Sequence, residues 1–154
     1  MIFVTFGSTR KTLDMDFIIP VLDKAAAQMQ EHQFMCQAGE AVCSTSIMQI
    51  FDYTDDFSAY IDKSDLIITA DGAGTIFECL KKNKKTLVIA NPNGIGAPAS
   101  DFVAYLHRCN HLSWYDYDKD PVIQIRHALD ATFDPLEFPP CSIAADIVRY
   151  LKED

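Results

Sequence analysis

Two short turns of small residues follow strand-like apolar segments, and they are the places in this chain best suited to bind an anion. Their residues are Gly7, Ser8 and Thr9 in the first turn and Gly72, Ala73, Gly74 and Thr75 in the second. Glycine lets the backbone approach a ligand closely, and the first turn of a following helix presents N–H groups and a dipole that favour negative charge. Both turns therefore suit a phosphate group, with hydroxyl groups as added donors. The alternative is that the glycines only form the turns and that Thr75 caps the helix.

One acidic residue, Glu78, is spaced to bind a second part of a nucleotide. It follows Gly74 by four residues, about one turn into the expected helix. A carboxylate there can accept hydrogen bonds from both hydroxyl groups of a ribose whose diphosphate lies on the helix N-terminus. The alternative is a solvated helix glutamate. The common phosphate motifs are excluded, because Phe77 takes the third glycine position of G-x-G-x-x-G and no Gly-Lys-Ser/Thr triplet exists.

The histidines and aromatic residues near position 110 give weaker evidence for a chemical role. His107 and His111 are four residues apart, a spacing that can place two metal ligands on one face. No third ligand of evident role follows, so we expect no metal site. Trp114, Tyr115 and Tyr117 are expected to be core and strand edge, with a stacking platform as the alternative.

The composition limits the partners of this chain. Its 154 residues include 13 Lys and Arg against 22 Asp and Glu, a net charge of −9. This acidic balance opposes phosphate backbones, so no nucleic acid partner is expected. The length fits one domain over residues 1–154. The simplest interpretation of the lysines between 81 and 85 is a solvated helix face and turn. The alternative is that they contact an acidic partner or anionic lipid headgroups.

The cysteines and the apolar segments favour an intracellular location for this chain. The five cysteines are scattered and never form a C-x-x-C pair, which favours reduced thiols in an intracellular compartment. The amino-terminal residues 1–7 have the pattern of a strand rather than of a signal peptide. No apolar run approaches the ~20 residues that span a bilayer, so membrane association is expected only through a partner.

Strands and helices alternate along the chain and must position the two turns. Apolar runs predict strands at 2–6, 34–38, 47–53, 65–70, 86–90 and 112–115. Helical periodicity predicts helices from near 16, at 55–63, after 75, and at 100–109, 122–132 and 143–152. This alternation predicts an α/β fold with a doubly wound, mostly parallel, Rossmann-like sheet. Ligands bind such sheets at the carboxyl ends of the strands, where both turns lie.

Four segments in this order resemble a known family: MIFVTFGS at 1–8, YIDKSDLIIT at 60–69, GAGTIFECL at 72–80 and KKTLVI at 84–89. Together they resemble the small catalytic subunit of the two-subunit UDP-N-acetylglucosamine transferase, which adds the second sugar to the dolichol-linked oligosaccharide. That family is similar to the carboxyl-terminal half of glycosyltransferase family 28 enzymes and to small bacterial polysaccharide-synthesis subunits. The resemblance covers residues 1–116.

The resemblance implies the donor half of a GT-B glycosyltransferase that moves N-acetylglucosamine from UDP to a lipid-linked sugar with inversion. It assigns the donor ribose to Glu78 and the diphosphate to the two turns. The UDP-sugar is then a substrate, and no cofactor or metal is implied. A membrane-anchored second subunit at the cytosolic face of the endoplasmic reticulum is expected to present the acceptor. The general base is Asp71, Asp101 or, as we favour, a residue of that partner.

This chain departs from the family pattern at two places. Asp71 stands where the family usually has a histidine, and an acidic group there repels a diphosphate. The family also tends to carry an Asn/Asp-His-Gln cluster where this chain has APASD at 97–101. Either the donor or its geometry differs, or the chain is a catalytically degenerate scaffold. The same residues also fit a bacterial-type polysaccharide transferase subunit or an unrelated α/β nucleotide-binding enzyme.

Overall fold

The computed structural model describes residues 1–6, 17–39, 45–90, 98–139 and 143–150, and its strands and helices are those of the described residues. The strands are β1 (Ile2–Thr5), β2 (Phe34–Gln37), β3 (Gln49–Phe51), β4 (Leu66–Ala70), β5 (Thr86–Ile89) and β6 (Ser113–Trp114). The helices are α1 (Ile19–Ala27), α2 (Phe57–Lys63), α3 (Ala73–Lys81), α4 (Pro98–Arg108), α5 (Pro121–Asp130) and α6 (Ile143–Tyr150).

The described strands form one sheet in the order β3-β2-β1-β4-β5-β6, and every neighbouring pair is parallel. The central strands β1 and β4 lie side by side, with Thr5 opposite Thr69. The strand order reverses between them, and ligands bind doubly wound sheets at this switch point. The predicted Rossmann-like α/β fold is confirmed, and the described sheet is wholly rather than mostly parallel.

Helices cover both faces of the sheet. On one face α1 and α5 pack against Val4 and Ile68. On the other face α2, α3 and α4 pack against Phe3, Ile67 and Val88. All five residues of β4 are buried, as expected of a central parallel strand with helices on both sides. This packing fixes the end of β4 and therefore the turn that follows it.

The strand predicted at 47–53 is shorter because the segment before it is tied to α1. Asp23 is 7% exposed and accepts hydrogen bonds of 2.8 to 3.0 Å from the backbone N–H groups of Ser46, Ile47 and Met48 and from the Ser46 hydroxyl. β3 therefore begins only at Gln49. Burial acts to raise the pKa of Asp23, but these hydrogen bonds outweigh it and hold that pKa below its ordinary value.

Three of the four lysines between 81 and 85 bind neighbouring elements, whereas Lys81 is exposed, as the sequence predicts. Lys82 Nζ lies 2.7 Å from the Asp62 carboxylate. Lys84 Nζ donates to the backbone carbonyls of Asp62 and Ser64 at 2.6 and 3.1 Å, and Lys85 Nζ donates to the Leu129 carbonyl. Three of the four ammonium groups therefore hold neighbouring elements together, and they do not form an open basic patch.

Three further predictions concern Pro20, the cysteines and membrane-spanning helices. Pro20 lies in the first turn of α1, as predicted, whereas a helix start near residue 16 lies outside the described residues. Cys36, Cys79 and Cys109 are not in disulfides, and the other two cysteines lie outside the described residues. In the part of the chain that the structure describes, no helix is both long and apolar enough to cross a bilayer.

Candidate functional site

The turn after β4 leads directly into the N-terminus of α3. Gly72 is the residue that precedes the helix, and the first hydrogen bond of the helix runs from the Ile76 N–H to the Gly72 carbonyl at 3.1 Å. The N–H groups of Ala73, Gly74 and Thr75 therefore precede the helical hydrogen-bond ladder. No described side chain caps this end. The interpretation of Thr75 as the cap is wrong, since it lies at the third helical position.

Neither glycine of this turn is required by the packing of the protein. A Cβ atom added at Gly72 or at Gly74 would meet no heavy atom within 4 Å. Gly72 has φ −70° and ψ 113°, a conformation that other residues adopt readily. The backbone at both positions therefore faces open space, and this favours close approach of a ligand over a purely structural role for the glycines.

Glu78 lies on the same side of α3 as this turn. It follows Gly74 by four residues and Thr75 by three, and such residues share one helical face. Glu78 is half-buried, and side chains on a helix generally lean toward its N-terminus, the end at which the turn lies. The next residue, Cys79, faces the core, and burial together with the Glu78 charge raises the pKa of the Cys79 thiol to about 12. That thiol is therefore not a nucleophile at neutral pH.

Tyr117 brings a phenol to the same edge of the sheet. Its hydroxyl donates a hydrogen bond of 2.7 Å to the carbonyl of Ala90, the residue that follows β5. Partial burial, with Tyr115 and the Asp71 charge nearby, raises the pKa of Tyr117 to about 12. The half-buried Asp71, which follows β4, therefore lies within electrostatic reach of the phenol. Tyr115 is core, as predicted, but Tyr117 is 42% exposed and is not.

The other predicted site residues divide between α4 and the undescribed segments. Asp101 is exposed in the first turn of α4, the helix that follows β5. Gly7, Ser8 and Thr9 lie outside the described residues. The strand before them, β1, ends at Thr5 beside β4.

The two histidines are engaged with the backbone. His107 Nδ1 lies 3.0 Å from the Leu112 carbonyl, and His111 Nδ1 lies 2.8 Å from the Asp134 carbonyl. Within residues 1–6, 17–39, 45–90, 98–139 and 143–150, no three histidine, cysteine or acidic side chains are grouped so as to hold a metal ion. Both contacts give the imidazoles a structural role near β6.

Gln37 is a residue of interest that the sequence analysis did not single out. It ends β2 beside Thr5, is 5% exposed, and its Oε1 has no hydrogen-bond partner among the described residues. With Thr69 opposite Thr5, the three residues form a buried polar row across the carboxyl ends of β2, β1 and β4. A glutamine directly after the apolar run of β2 was the signal available in the sequence.

Residues 1–98 match the model of the glycosyltransferase family 28 C-terminal domain. The chain belongs to this family. The match includes Asp71, the α3 turn and Glu78, whereas Asp101 and Tyr117 lie beyond it. The recognition of family 28 from the ordered sequence segments is thereby confirmed.

Part of the chain is also similar to one individual protein whose function is known. The chain is 31% identical over 65 residues to the UDP-N-acetylglucosamine transferase subunit ALG13 of Candida albicans. The aligned part is 42% of this chain and 22% of that protein. The aligned part therefore spans less than a quarter of the length of this relative.

Solved glycosyltransferases share the fold of the family 28 domain. The glycotransferase of kitacinnamycin superposes with a TM-score of 0.63 at 13% identity, over 83% of this chain and 33% of that one. The glycosyltransferase SnogD from Streptomyces nogalater superposes with a TM-score of 0.61 at 18% identity, over 84% and 34%. The chain thus has the fold of about one third of these larger enzymes, which agrees with a GT-B half-domain.

Proposed function

We propose that this family 28 domain binds a UDP-sugar at the N-terminus of α3 and, with a partner subunit, transfers N-acetylglucosamine with inversion to a lipid-linked dolichol diphosphate sugar. The observation that carries the proposal is the α3 turn, which no described side chain caps and whose glycines face open space, while Glu78 lies one helical turn away on the same face. The likeness to a UDP-N-acetylglucosamine transferase subunit supports the choice of donor.

The α3 turn is suited to the diphosphate of the donor. The N–H groups of Ala73, Gly74 and Thr75 are available to phosphate oxygens, and the helix dipole adds to their positive potential. The same groups stabilise the charge that develops on UDP as it leaves. We assign Gly7, Ser8 and Thr9 to the same diphosphate because they follow β1, the strand beside β4.

Glu78 is suited to the ribose of the donor. With the diphosphate on the α3 turn, the next group of the nucleotide lies one helical turn along the same face, where the Glu78 carboxylate can accept two hydroxyl hydrogen bonds. Hydrogen bonds to a charged acceptor are stronger than those between neutral groups. This side chain therefore fixes which end of the diphosphate carries the nucleoside.

The residues of this chain near the site are poorly suited to act as the general base. Asp71 lies beside the diphosphate position, where its charge opposes the donor, and Asp101 is exposed on α4. Tyr117 keeps its proton at neutral pH because its pKa is raised to about 12. We therefore assign the base to the partner subunit, with Asp71 and Asp101 as the alternatives within the chain.

A partner subunit is needed in this proposal for the acceptor half of the site. The chain spans only about a third of the solved enzymes that share its fold. Helix α6 exposes Ile143, Ile147 and Tyr150 at 65%, 53% and 71%, and their spacing places them on one face. We propose that this face binds a membrane-anchored second subunit, which holds the chain at the cytosolic face of the endoplasmic reticulum.

A second candidate function is that of a non-catalytic subunit, and Asp71 is the observation that favours it. An acidic side chain beside the diphosphate position lowers the affinity of any nucleotide sugar. A scaffold of this kind would retain the fold and the α6 face but would not saturate with UDP. The two functions therefore separate on nucleotide binding alone.

Calorimetric titration of the full chain with UDP and with UDP-N-acetylglucosamine tests the proposal. Saturable binding is expected, and Glu78→Ala should weaken UDP binding by about 2 kcal/mol, or ~30-fold, through the lost ribose hydrogen bonds. Glu137→Ala is the matched control, because Glu137 is an exposed glutamate outside α3. Absence of saturable binding would overturn the donor role, and equal losses in both variants would overturn the assignment of Glu78.

A further inference from the structure

Phe17 and Tyr117 form a half-exposed aromatic pair at the carboxyl end of the sheet. Each side chain is 42% exposed, and their ring centroids are 6.1 Å apart at an interplanar angle of 37°. Phe17 lies two residues before α1, and Tyr117 lies three residues after β6. Tyr115, which is buried in the core, contacts Tyr117 edge to face at 5.3 Å. The pair is therefore supported from below and open on its outer side.

The Tyr117 ring is fixed in place by its hydroxyl group. The hydrogen bond of 2.7 Å to the Ala90 carbonyl holds the ring at the end of β5. Because β4 lies next to β5 in the sheet, the ring is on the side of the sheet edge where the turn after β4 begins. An aromatic ring that is held at one end and open on one face is typical of ligand sites, where large rigid rings supply contact area at low entropic cost.

We propose that Tyr117, backed by Phe17, is the packing surface for the sugar ring of the donor. This inference rests on the proposed function. In that function the nucleoside lies along α3 beside Glu78, so the other end of the diphosphate points away from α3. Tyr117 lies on the β5 side of the turn after β4, as its hydrogen bond to Ala90 indicates. The C–H groups on one face of a pyranose match an apolar ring, and the site thereby selects for the sugar.

The variants Tyr117→Leu and Tyr117→Phe test this assignment. Tyr117→Leu removes the ring, so its binding of UDP-N-acetylglucosamine should weaken about five-fold while its binding of UDP stays unchanged. Tyr117→Phe keeps the ring and removes only the hydrogen bond to Ala90, so its loss should be smaller and again confined to the sugar nucleotide. Tyr105→Leu is the control, because Tyr105 is a 57% exposed tyrosine on α4.

Calorimetry with both nucleotides separates the possible results. If the wild-type chain binds UDP but Tyr117→Leu affects both nucleotides equally, or neither, the sugar assignment is overturned while the proposed function stands. If the wild-type chain binds no UDP, the proposed function fails and this assignment fails with it. A melting curve for each variant checks folding, and Tyr117→Phe decides the question should the leucine variant not fold.

Discussion

Asp71 is the residue at which the candidate site differs most from an anion-binding surface. Its carboxylate follows β4 directly, and its charge reaches Tyr117 across the end of the sheet. A nucleotide at the α3 turn therefore meets one negative side chain together with the unpaired N–H groups. Because this charge repels the nucleotide, removing it should strengthen nucleotide binding rather than weaken it.

We expect Asp71→Asn to bind UDP more tightly than the wild type. Removal of one negative charge near the diphosphate should gain about 1 kcal/mol, or ~5-fold, and the gain should shrink at high salt. Titration at two ionic strengths measures it, with Asp101→Asn as the control for loss of an exposed carboxylate. An Asp71→Asn chain that binds more tightly yet no longer supports transfer with its partner identifies Asp71 as the base.

Gln37 carries a second prediction at the scale of one residue. A buried oxygen without a partner costs about 1–3 kcal/mol of desolvation free energy, and Gln37 Oε1 is such an atom among the described residues. Gln37→Met keeps the volume and removes the oxygen, so its free energy of unfolding should equal or exceed that of the wild type. Urea denaturation checks this, and a clear loss of stability would show that the amide is satisfied in solution.

At the scale of the element, α3 shows a conflict between stability and binding. Glycine in a helix costs about 0.5–1 kcal/mol relative to alanine, and a Cβ atom at Gly74 would meet only open space. Gly74→Ala should therefore raise the free energy of unfolding by about that amount and also weaken UDP binding by crowding the phosphate position. Urea denaturation and titration of the same protein measure the two effects, and an alanine variant that binds UDP normally would show that no ligand approaches Gly74.

The hydrogen bonds of Asp23 predict how the stability depends on pH. The pKa of Asp23 is lower in the folded protein than its ordinary value, so this carboxylate stabilises the fold above about pH 4 and loses that contribution as the pH falls through the folded value. Asp23→Asn should cost about 1–3 kcal/mol at neutral pH, and its stability should fall less steeply below pH 4. Thermal melts from pH 3 to pH 7 test this, and parallel curves for both proteins would exclude the assignment.

The elements also show which features the sequence predicts and which it leaves open. β4 begins one residue later than the predicted strand at 65–70 and ends as predicted, and α3 follows from the glycine turn and the buried spacing of Ile76 and Leu80. β3 is shorter than predicted because Asp23 binds the preceding backbone from another element, which local pattern does not reveal. The sequence pattern assigns Tyr117 to core or strand edge, whereas its position depends on a hydrogen bond to a residue 27 positions away.

At the scale of the whole molecule, the chain has one parallel sheet with helices on both faces, and the described residues of α6 include an exposed apolar face. Each solved enzyme that shares the fold is about three times as long as the matched part of this chain. The residues Ile143, Ile147 and Tyr150 are exposed on α6 with the spacing of an amphipathic helix that binds in a groove. Three of the lysines between 81 and 85 bind within the domain, so the described residues there do not form an open basic patch for an anionic membrane surface.

Membrane recruitment through α6 is the prediction that belongs to this scale. When the chain is co-expressed with the proposed membrane-anchored second subunit, it should float with membranes, and without that subunit it should not. Ile147→Glu places a charge in the centre of the α6 face and should abolish flotation while UDP binding is retained, because burying an unpaired charge in an interface is unfavourable. Ile123→Glu is the matched control, since Ile123 is 68% exposed on α5 and its loss should leave flotation unchanged. Equal behaviour of the two variants would remove α6 as the partner face.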